Sequence, residues 1–170
     1  MNLESISFLY RYNIWATDRI LAAAGRVMPE QFTARVPFLG EVRANSLRNI
    51  LVHTLSAEWV WRSRVMLGIS PPALLPFEDF PDVLTLAERW REESETMRYY
   101  IAGLTSIRLQ DPVSYTTTSG AMYTTPRWQI LTHVVLHGTQ HRSEAAAVLT
   151  AYGASPGDID LIHYIRLEES

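Results

Sequence analysis

Residues 133–142 read HVVLHGTQHR and contain three of the five histidines of the chain. His133, His137 and His141 are spaced four residues apart. In a helix, residues four apart lie close together on one face, with Cβ atoms about 5–6 Å apart. Two imidazoles at that spacing can bind one metal ion without distorting the helix. The stretch therefore predicts a helix whose histidine face is a metal site, a packed core or a solvated surface.

The apolar residues around this stretch indicate which histidines face the protein interior. Each residue of a helix advances about 100° around the axis, and the apolar residues fall within about 60° of one another. They are Ile130, Val134, Ala145, Val148 and Tyr152. Counted from Ile130, His137 and His141 fall near the stripe centre, at about −20° and +20°. His133 falls on its edge at about −60°, and Glu144 lies at about −40°, one turn beyond His141.

Buried polar groups need partners, and these histidines admit more than one explanation. Any one of them is more simply a hydrogen-bonded core or rim residue than a metal ligand. The group together, joined by an inward histidine from another helix, favours a metal ion. His53 is the natural third ligand because it also lies within a long predicted helix, whereas His163 is expected to be a surface or packing residue. Gly138 costs about 1 kcal/mol of helix propensity relative to Ala, which a close approach by another helix would explain.

The composition of the 170-residue chain limits the chemistry of such a site. The length and the 47% of hydrophobic residues fit a single domain over residues 1–170. The chain has no cysteine, which excludes disulfides, thiolate ligands and a cysteine nucleophile. Any metal must therefore be held by His, Asp, Glu and water. All 15 basic residues are arginine, which excludes Schiff-base chemistry on a lysine.

Charge and segment composition indicate which partners to expect. The net charge is −3 and the arginines are scattered, so we expect no binding to nucleic acid. The N-terminal residues are polar and acidic, unlike those of a signal peptide. The sequence contains no run of about 18 apolar residues, so we expect no transmembrane helix. We expect a cytoplasmic protein without membrane association, and the absence of cysteine fits a reducing compartment.

Hydrophobic periodicity predicts four long amphipathic helices. They cover residues 3–27, 45–67, 81–104 and 125–152. Asn45-Ser46 suits the N-cap of the second helix and Gly68 its C-terminal cap. Pro81 and Pro126 suit the first position of the third and fourth helices, with Thr125 as the N-cap of the fourth. Four such helices predict an all-α four-helix bundle.

Shorter segments connect the predicted helices. Residues 29–44, with Pro37 and Gly40, read as a connector, and prolines keep residues 69–80 from forming a helix. Alternating residues over 111–125 predict a short β-hairpin that leans on the helices before the fourth one. Residues 158–166 predict one or two final helical turns.

Several polar and aromatic side chains beside the apolar stripes are expected to lie away from the core. Asn13, Thr17 and Asp18 are predicted to lie solvated at the edge of the first helix stripe. The third helix is predicted to present a solvated charged face, formed by Glu88, Arg91, Glu92 and Glu95. Trp59 and Trp61 are predicted to point elsewhere than His53 and to pack against other elements.

Three blocks of sequence carry a family resemblance that covers nearly the whole chain. They are YNIWA at 12–16 followed by Arg19; SLRNILVH at 46–53, continuing through AEW at 57–59 to Arg64 and Gly68; and HVVLHGTQHR at 133–142, with DID at 158–160. In these blocks, and in the hairpin before Pro126, the chain resembles the DinB/YfiT-like metal-binding four-helix bundles.

The resemblance implies an antiparallel bundle with one long crossover, and a homodimer. It implies a divalent ion, nickel or zinc, whose ligands by position are His53, His137 and His141. His133 matches a frequent family histidine that is not normally a ligand. The chain departs from the family pattern at Leu136, where Asn is frequent, and at Ser143-Glu144, where Gly-Gln is common. These changes beside the site leave the three histidines intact but could place a carboxylate near the ion.

Three functions remain open from the sequence. Related families include thiol-dependent transferases, so the leading hypothesis is a metal-dependent transferase that activates a low-molecular-weight thiol for attack on an electrophile. Arg142 and Glu144 are candidates for contacting the cosubstrate and handling protons, and an interhelical or surface ion pair explains each equally well. The alternatives are a non-catalytic metal-binding protein of the stress or damage response and a metal-dependent hydrolase. The hydrolase fits less well because Gly138 follows His137 where His-Glu-x-x-His enzymes carry their glutamate base.

Overall fold

The computed structural model describes residues 1–37 and 45–169 and is mostly helical, with 67% of the chain in helices. Its six described α-helices are α1 (Leu3–Ala24), α2 (Pro29–Thr33), α3 (Leu47–Arg62), α4 (Val83–Ala102), α5 (Arg127–Ala151) and α6 (Leu161–Glu168). An antiparallel hairpin of β1 (Pro112–Thr116) and β2 (Met122–Pro126) lies between α4 and α5. The predicted helical class and the hairpin are therefore confirmed.

Polar side chains cap the starts of the long helices, because the first backbone N–H groups have no partner within the helix. Asn2 accepts a hydrogen bond from the backbone of Ser5 at the start of α1. Ser46 caps α3, as predicted, by accepting a hydrogen bond from Asn49. Asp82 is the N-cap of α4, so Pro81 lies before the helix. The prediction that Pro81 occupies the first helical position was wrong.

The boundaries of α3 and α5 follow from neighbouring structure. After Arg62 the chain forms a wider π-helical turn, Ser63–Leu67, which ends at Gly68 with φ 69°. This left-handed conformation favours glycine and confirms the predicted cap. At α5 the prediction was one residue early. Thr125 still pairs with Val113 in the hairpin, so Pro126 is the N-cap and Arg127 begins the helix.

The four long helices contact one another in a closed order. Helix α1 contacts α4 and α5, and α3 also contacts α4 and α5. Buried apolar residues form two clusters along these contacts, one including Leu51 and Trp90 and the other Met97 and Val134. Helix α5 therefore has two buried faces, one against α1 and one against α3.

Two predictions about polar residues of the long helices need correction. Asn13 and Thr17 were expected to be solvated but are 0% and 2% exposed, because both face the buried Arg142 side chain. Asp18 is exposed, as predicted. The charged face predicted for α4 is exposed, but Glu93, beside it, is buried and forms ion pairs with Arg62 and Arg89.

The remaining segments hold more structure than the sequence indicated. The predicted connector contains α2 and an isolated bridge between Arg35 and Ser46, while Gly40 lies outside the described residues. Helix α6 begins three residues after the predicted start at residue 158, extends to Glu168, and packs the buried Tyr164 against Tyr12. Within the described part of the chain, no helix has the length and apolar character needed to cross a bilayer.

Candidate metal centre

Three of the five histidines converge where α3 packs against α5. His53 extends from α3, and His137 and His141 extend from successive turns of α5. Their candidate ligand nitrogens lie within 4.8 Å of one another. The ring of His53 lies 5.2 Å from that of His137 and 4.8 Å from that of His141, between centroids. The predicted ligand set is thus brought together and could hold a metal ion.

The spacing of the imidazoles fits a single ion. Zinc–nitrogen bonds are about 2.0–2.1 Å long, so two nitrogens of a tetrahedral site lie about 3.4 Å apart. The present separations of up to 4.8 Å are larger, so binding one ion would require the imidazoles to rotate toward one another. Buried Val134 and Ala145 flank the histidine turns of α5 and hold that helix in place. All three imidazoles are partly buried, so an ion could reach them from solvent.

The surroundings of His137 favour its neutral form. Burial lowers the pKa of His137 to about 3, with further lowering by the neighbouring His141, His53 and His133. Neutral imidazole is the form that donates a lone pair to a metal. His137 is therefore in its ligating form throughout the neutral pH range.

The carboxylate of Glu144 forms a hydrogen bond with the imidazole of His141. One of its carboxylate oxygens lies 2.7 Å from Nδ1 of His141, one turn along α5. A carboxylate at this distance accepts the Nδ1 proton, which leaves the Nε2 lone pair available to the cluster. Such a carboxylate–histidine pair fixes the orientation of the imidazole. The glutamate predicted near the site is thus present, in contact with a candidate ligand.

Arg142 lies on the other buried face of α5, although it directly follows His141. Its side chain is 1% exposed and faces α1, where Nη1 donates hydrogen bonds to the side chains of Asn13 and Thr17. Nη2 donates to the hydroxyl of Thr139 at 3.1 Å. The structure places this predicted site residue in an interhelical contact.

The close packing of this contact explains Gly138. A Cβ atom there would lie 2.7 Å from Nη1 of Arg142 and 2.8 Å from Oδ1 of Asn13. Both distances are shorter than ordinary van der Waals contact. A glutamate, which a His-Glu-x-x-His enzyme would need at this position, has no room.

Glu58 is a buried carboxylate near the site that the sequence did not single out. It is 2% exposed on α3 and accepts a hydrogen bond of 2.9 Å from Nδ2 of Asn13. Burial raises the pKa of the Glu58 carboxyl, against the opposing effects of the Asn13 hydrogen bond and the Arg142 charge. Its helical spacing from Leu51 and Leu55, both buried, was the signal that could have identified it.

A row of aromatic rings extends from the histidine cluster to the hairpin. His133 lies 5.5 Å from His137 and 5.3 Å from Trp61, between ring centroids. Trp61 contacts Tyr115 of β1 in turn, and the Arg64 guanidinium lies over both rings. Trp61 therefore packs against other elements, as predicted, because the hairpin folds back over this end of α3.

The two remaining histidines lie outside the close group of nitrogens. His133 lies one ring contact from it, in agreement with its predicted edge position. His163 packs at 6.0 Å from Trp15 beside α6, which agrees with its prediction as a packing residue.

Comparisons with known proteins identify the family of the chain. The model of the DinB family matches residues 1–170. A curated relative, the protein DinB of Bacillus subtilis (strain 168), is 24% identical, and the match covers 95% of each chain. Because the family model matches the entire sequence, the chain belongs to the DinB family.

Proposed function

We propose that His53, His137 and His141 bind one divalent ion, nickel or zinc, and that the protein transfers a low-molecular-weight thiol to an electrophile. The observation that carries this proposal is the convergence of three imidazole donors from two helices. The neighbouring carboxylate of Glu144 is engaged by Nδ1 of His141. Three protein ligands leave coordination positions for an exogenous molecule, as catalytic sites do and closed structural sites do not.

The residues around the cluster have distinct roles in this proposal. A bound divalent ion would supply a Lewis acid that lowers the pKa of a thiol. Glu144 orients His141, and burial keeps His137 neutral. Because the chain has no cysteine, the reacting sulfur must come from a second molecule. The overall reaction converts R–SH and R′–X into R–S–R′ and HX: an S–C bond forms, the C–X bond breaks, and the thiol proton leaves with X.

The proposal includes the architecture that this chemistry needs. We propose that α1, α3, α4 and α5 form an antiparallel four-helix bundle over a single domain of residues 1–170. The closed order of their contacts supports this arrangement. A cytoplasmic homodimer, which would have access to cellular thiols, remains part of the proposal.

A conjugation assay tests the proposed activity. Metal-loaded protein is mixed with each of several cellular thiols and a chromogenic alkylating electrophile, and thioether formation is followed. We expect a rate above the uncatalysed reaction that requires the ion and disappears in His137→Ala. The matched control is His163→Ala, which removes an imidazole beside Trp15, and it should retain the rate.

The assay also separates the other functions. No metal-dependent rate with any thiol contradicts the transferase and supports a non-catalytic metal-binding protein. A metal-dependent rate with water alone would support hydrolysis.

A further inference from the structure

A chain of buried hydrogen bonds connects the two histidine-bearing helices through a third helix. We call it the Glu58–Asn13–Arg142 chain, after its members on α3, α1 and α5. Asn13 donates from Nδ2 to Glu58 and accepts at Oδ1 from Nη1 of Arg142. The three side chains are 2%, 0% and 1% exposed, respectively. Water therefore cannot replace these hydrogen bonds.

Each end of this chain is close in sequence to a candidate metal ligand. Glu58 follows His53 by five residues on α3, and Arg142 directly follows His141 on α5. Helix α1 contributes none of the three imidazoles, yet its amide contacts a polar side chain from each ligand-bearing helix. A shift of α3 relative to α5 would break a buried, charge-assisted hydrogen bond.

The chemistry at position 13 is restrictive. A carboxylate and a guanidinium face the same side chain, so that side chain must both donate and accept. The Asn13 amide does both, and the absence of a Cβ at Gly138 leaves room for its oxygen beside Arg142. A carboxylate at position 13 would face Glu58 without a proton to donate to it.

A second buried carboxylate provides a contrast. Glu93 is 1% exposed and forms ion pairs with Arg62 and Arg89. It connects α4 with α3, so only one of the two ligand-bearing helices takes part. Both carboxylates are buried and have polar partners. They differ because the partners of Glu58 lead to Arg142 on α5, whereas the arginine partners of Glu93 lie on α3 and α4.

We propose that the Glu58–Asn13–Arg142 chain sets the separation of α3 and α5, and thereby positions His53 relative to His137 and His141 for metal binding. Its members act as positioning residues that do not touch the ion. This inference rests on the proposed metal site and adds the residues that hold its two halves together.

Exchanging the acid and the amide tests this proposal. Asn13→Asp alone opposes two carboxylates, and Glu58→Gln alone removes the buried negative charge that compensates Arg142. The double variant again has one acid and one amide, of nearly unchanged size, with the acid at position 13 and the amide at position 58. The amide at position 58 then donates the hydrogen bond to the acid at position 13. The Kd for Ni²⁺ is measured by competition with a chelating indicator, and visible absorption of the Co²⁺-loaded protein reports coordination geometry.

We expect each single variant to raise the Kd by about tenfold and to change the Co²⁺ spectrum. The double variant should regain most of the affinity and the wild-type spectrum. Glu93→Gln is the control: it should lower the unfolding midpoint while leaving the Kd and the spectrum unchanged.

The outcomes distinguish the two proposals. If wild-type protein binds no metal at the histidines, the proposed function fails, and this inference fails with it. If wild-type protein binds metal and the single variants lose stability but keep its Kd and spectrum, the chain is merely structural. Loss of affinity without recovery in the double variant also overturns the inference, because recovery follows from the hydrogen-bond pattern alone.

Discussion

Helix α5 presents two buried faces, and their polar side chains differ in the kind of group that they face. The face toward α1 carries Gly138 and Arg142, and the guanidinium binds to groups that the protein itself supplies. The face toward α3 carries His137 and His141, which meet a third imidazole from His53. A guanidinium opposite an amide and hydroxyls forms a set of donors and acceptors, whereas the face toward α3 brings three imidazoles of the same kind together. The three histidines could hold a cation, whereas the protein itself satisfies the guanidinium.

This difference separates polar groups that hold the helices in position from candidate metal ligands on the same helix. Burial alone does not make the distinction, because Arg142 is more deeply buried than any of the three histidines. The distinction depends on the chemistry of the groups that each side chain faces. Changes on the α1 face should therefore lower the free energy of unfolding and also weaken metal binding through the positions of the helices, whereas a change at Glu144 should affect metal affinity alone.

Removing Arg142 should produce the largest loss of stability. Arg142→Leu leaves the buried carboxylate of Glu58 without compensation, which typically costs about 3–5 kcal/mol of unfolding free energy. Denaturant unfolding of the metal-free protein measures it. The control is Arg11→Leu, whose half-exposed pair with Glu168 at 3.8 Å should contribute less than about 1 kcal/mol. Equal losses in the two variants would show that the α1 face is not a complementary polar set.

Adding one methyl group at Gly138 should have the next largest effect. Helix propensity alone favours Gly138→Ala by about 1 kcal/mol. The steric conflict with Arg142 and Asn13 reverses the sign, and we expect a net loss of about 1–3 kcal/mol. Gly25→Ala is the matched control, because its Cβ would meet only carbonyl oxygens at 3.6 and 3.7 Å. Stabilisation by both substitutions would contradict the packing described at Gly138.

Changing Glu144 should act on the metal and leave the fold intact. Glu144→Ala frees Nδ1 of His141, so the imidazole loses its fixed orientation. We expect metal affinity to fall by about 10–100-fold, measured by competition with a chelator. Glu88→Ala removes an equal charge from the exposed face of α4 and should leave affinity unchanged. The role of Glu144 would be refuted by equal affinities in the two variants.

The pH dependence of the metal-free protein should show the smallest effect. The pKa of His137 is about 3 in the folded protein, below its usual value of 6.5. As pH falls below 6.5, the unfolded chain binds a proton that the folded protein does not, so stability decreases toward pH 3. The slope should stay below about 1.4 kcal/mol per pH unit, because the imidazole is partly exposed and screened. Denaturant midpoints should fall with pH in the wild type and fall less in His137→Ala; equal slopes would contradict this burial.

The sequence predicted the elements well and the contacts between their faces less well. Periodicity located four long helices, and the angular count placed His137 and His141 inward and His133 at the edge. The count assumed one buried stripe per helix, however, and Arg142 falls outside that stripe. Because α5 packs against both α1 and α3, its buried surface is wider than an apolar stripe shows.

Asn13 was misassigned for the same reason. A lone asparagine beside a stripe gives no sign of a buried guanidinium that lies 129 residues away in the chain. The structure supplies that pairing. Gly138 did give a local signal, since a helix-weakening residue in a long helix implied close packing.

Metal stoichiometry tests the central claim most directly. Purified wild-type protein and the His53→Ala, His137→Ala, His141→Ala and His133→Ala variants are dialysed against limiting Ni²⁺ or Zn²⁺ and analysed for metal per chain, with circular dichroism as the check on folding. We expect about one ion per chain in the wild type and in His133→Ala, and none retained by the other three variants. Full retention of metal by folded His53→Ala or His137→Ala would contradict the site.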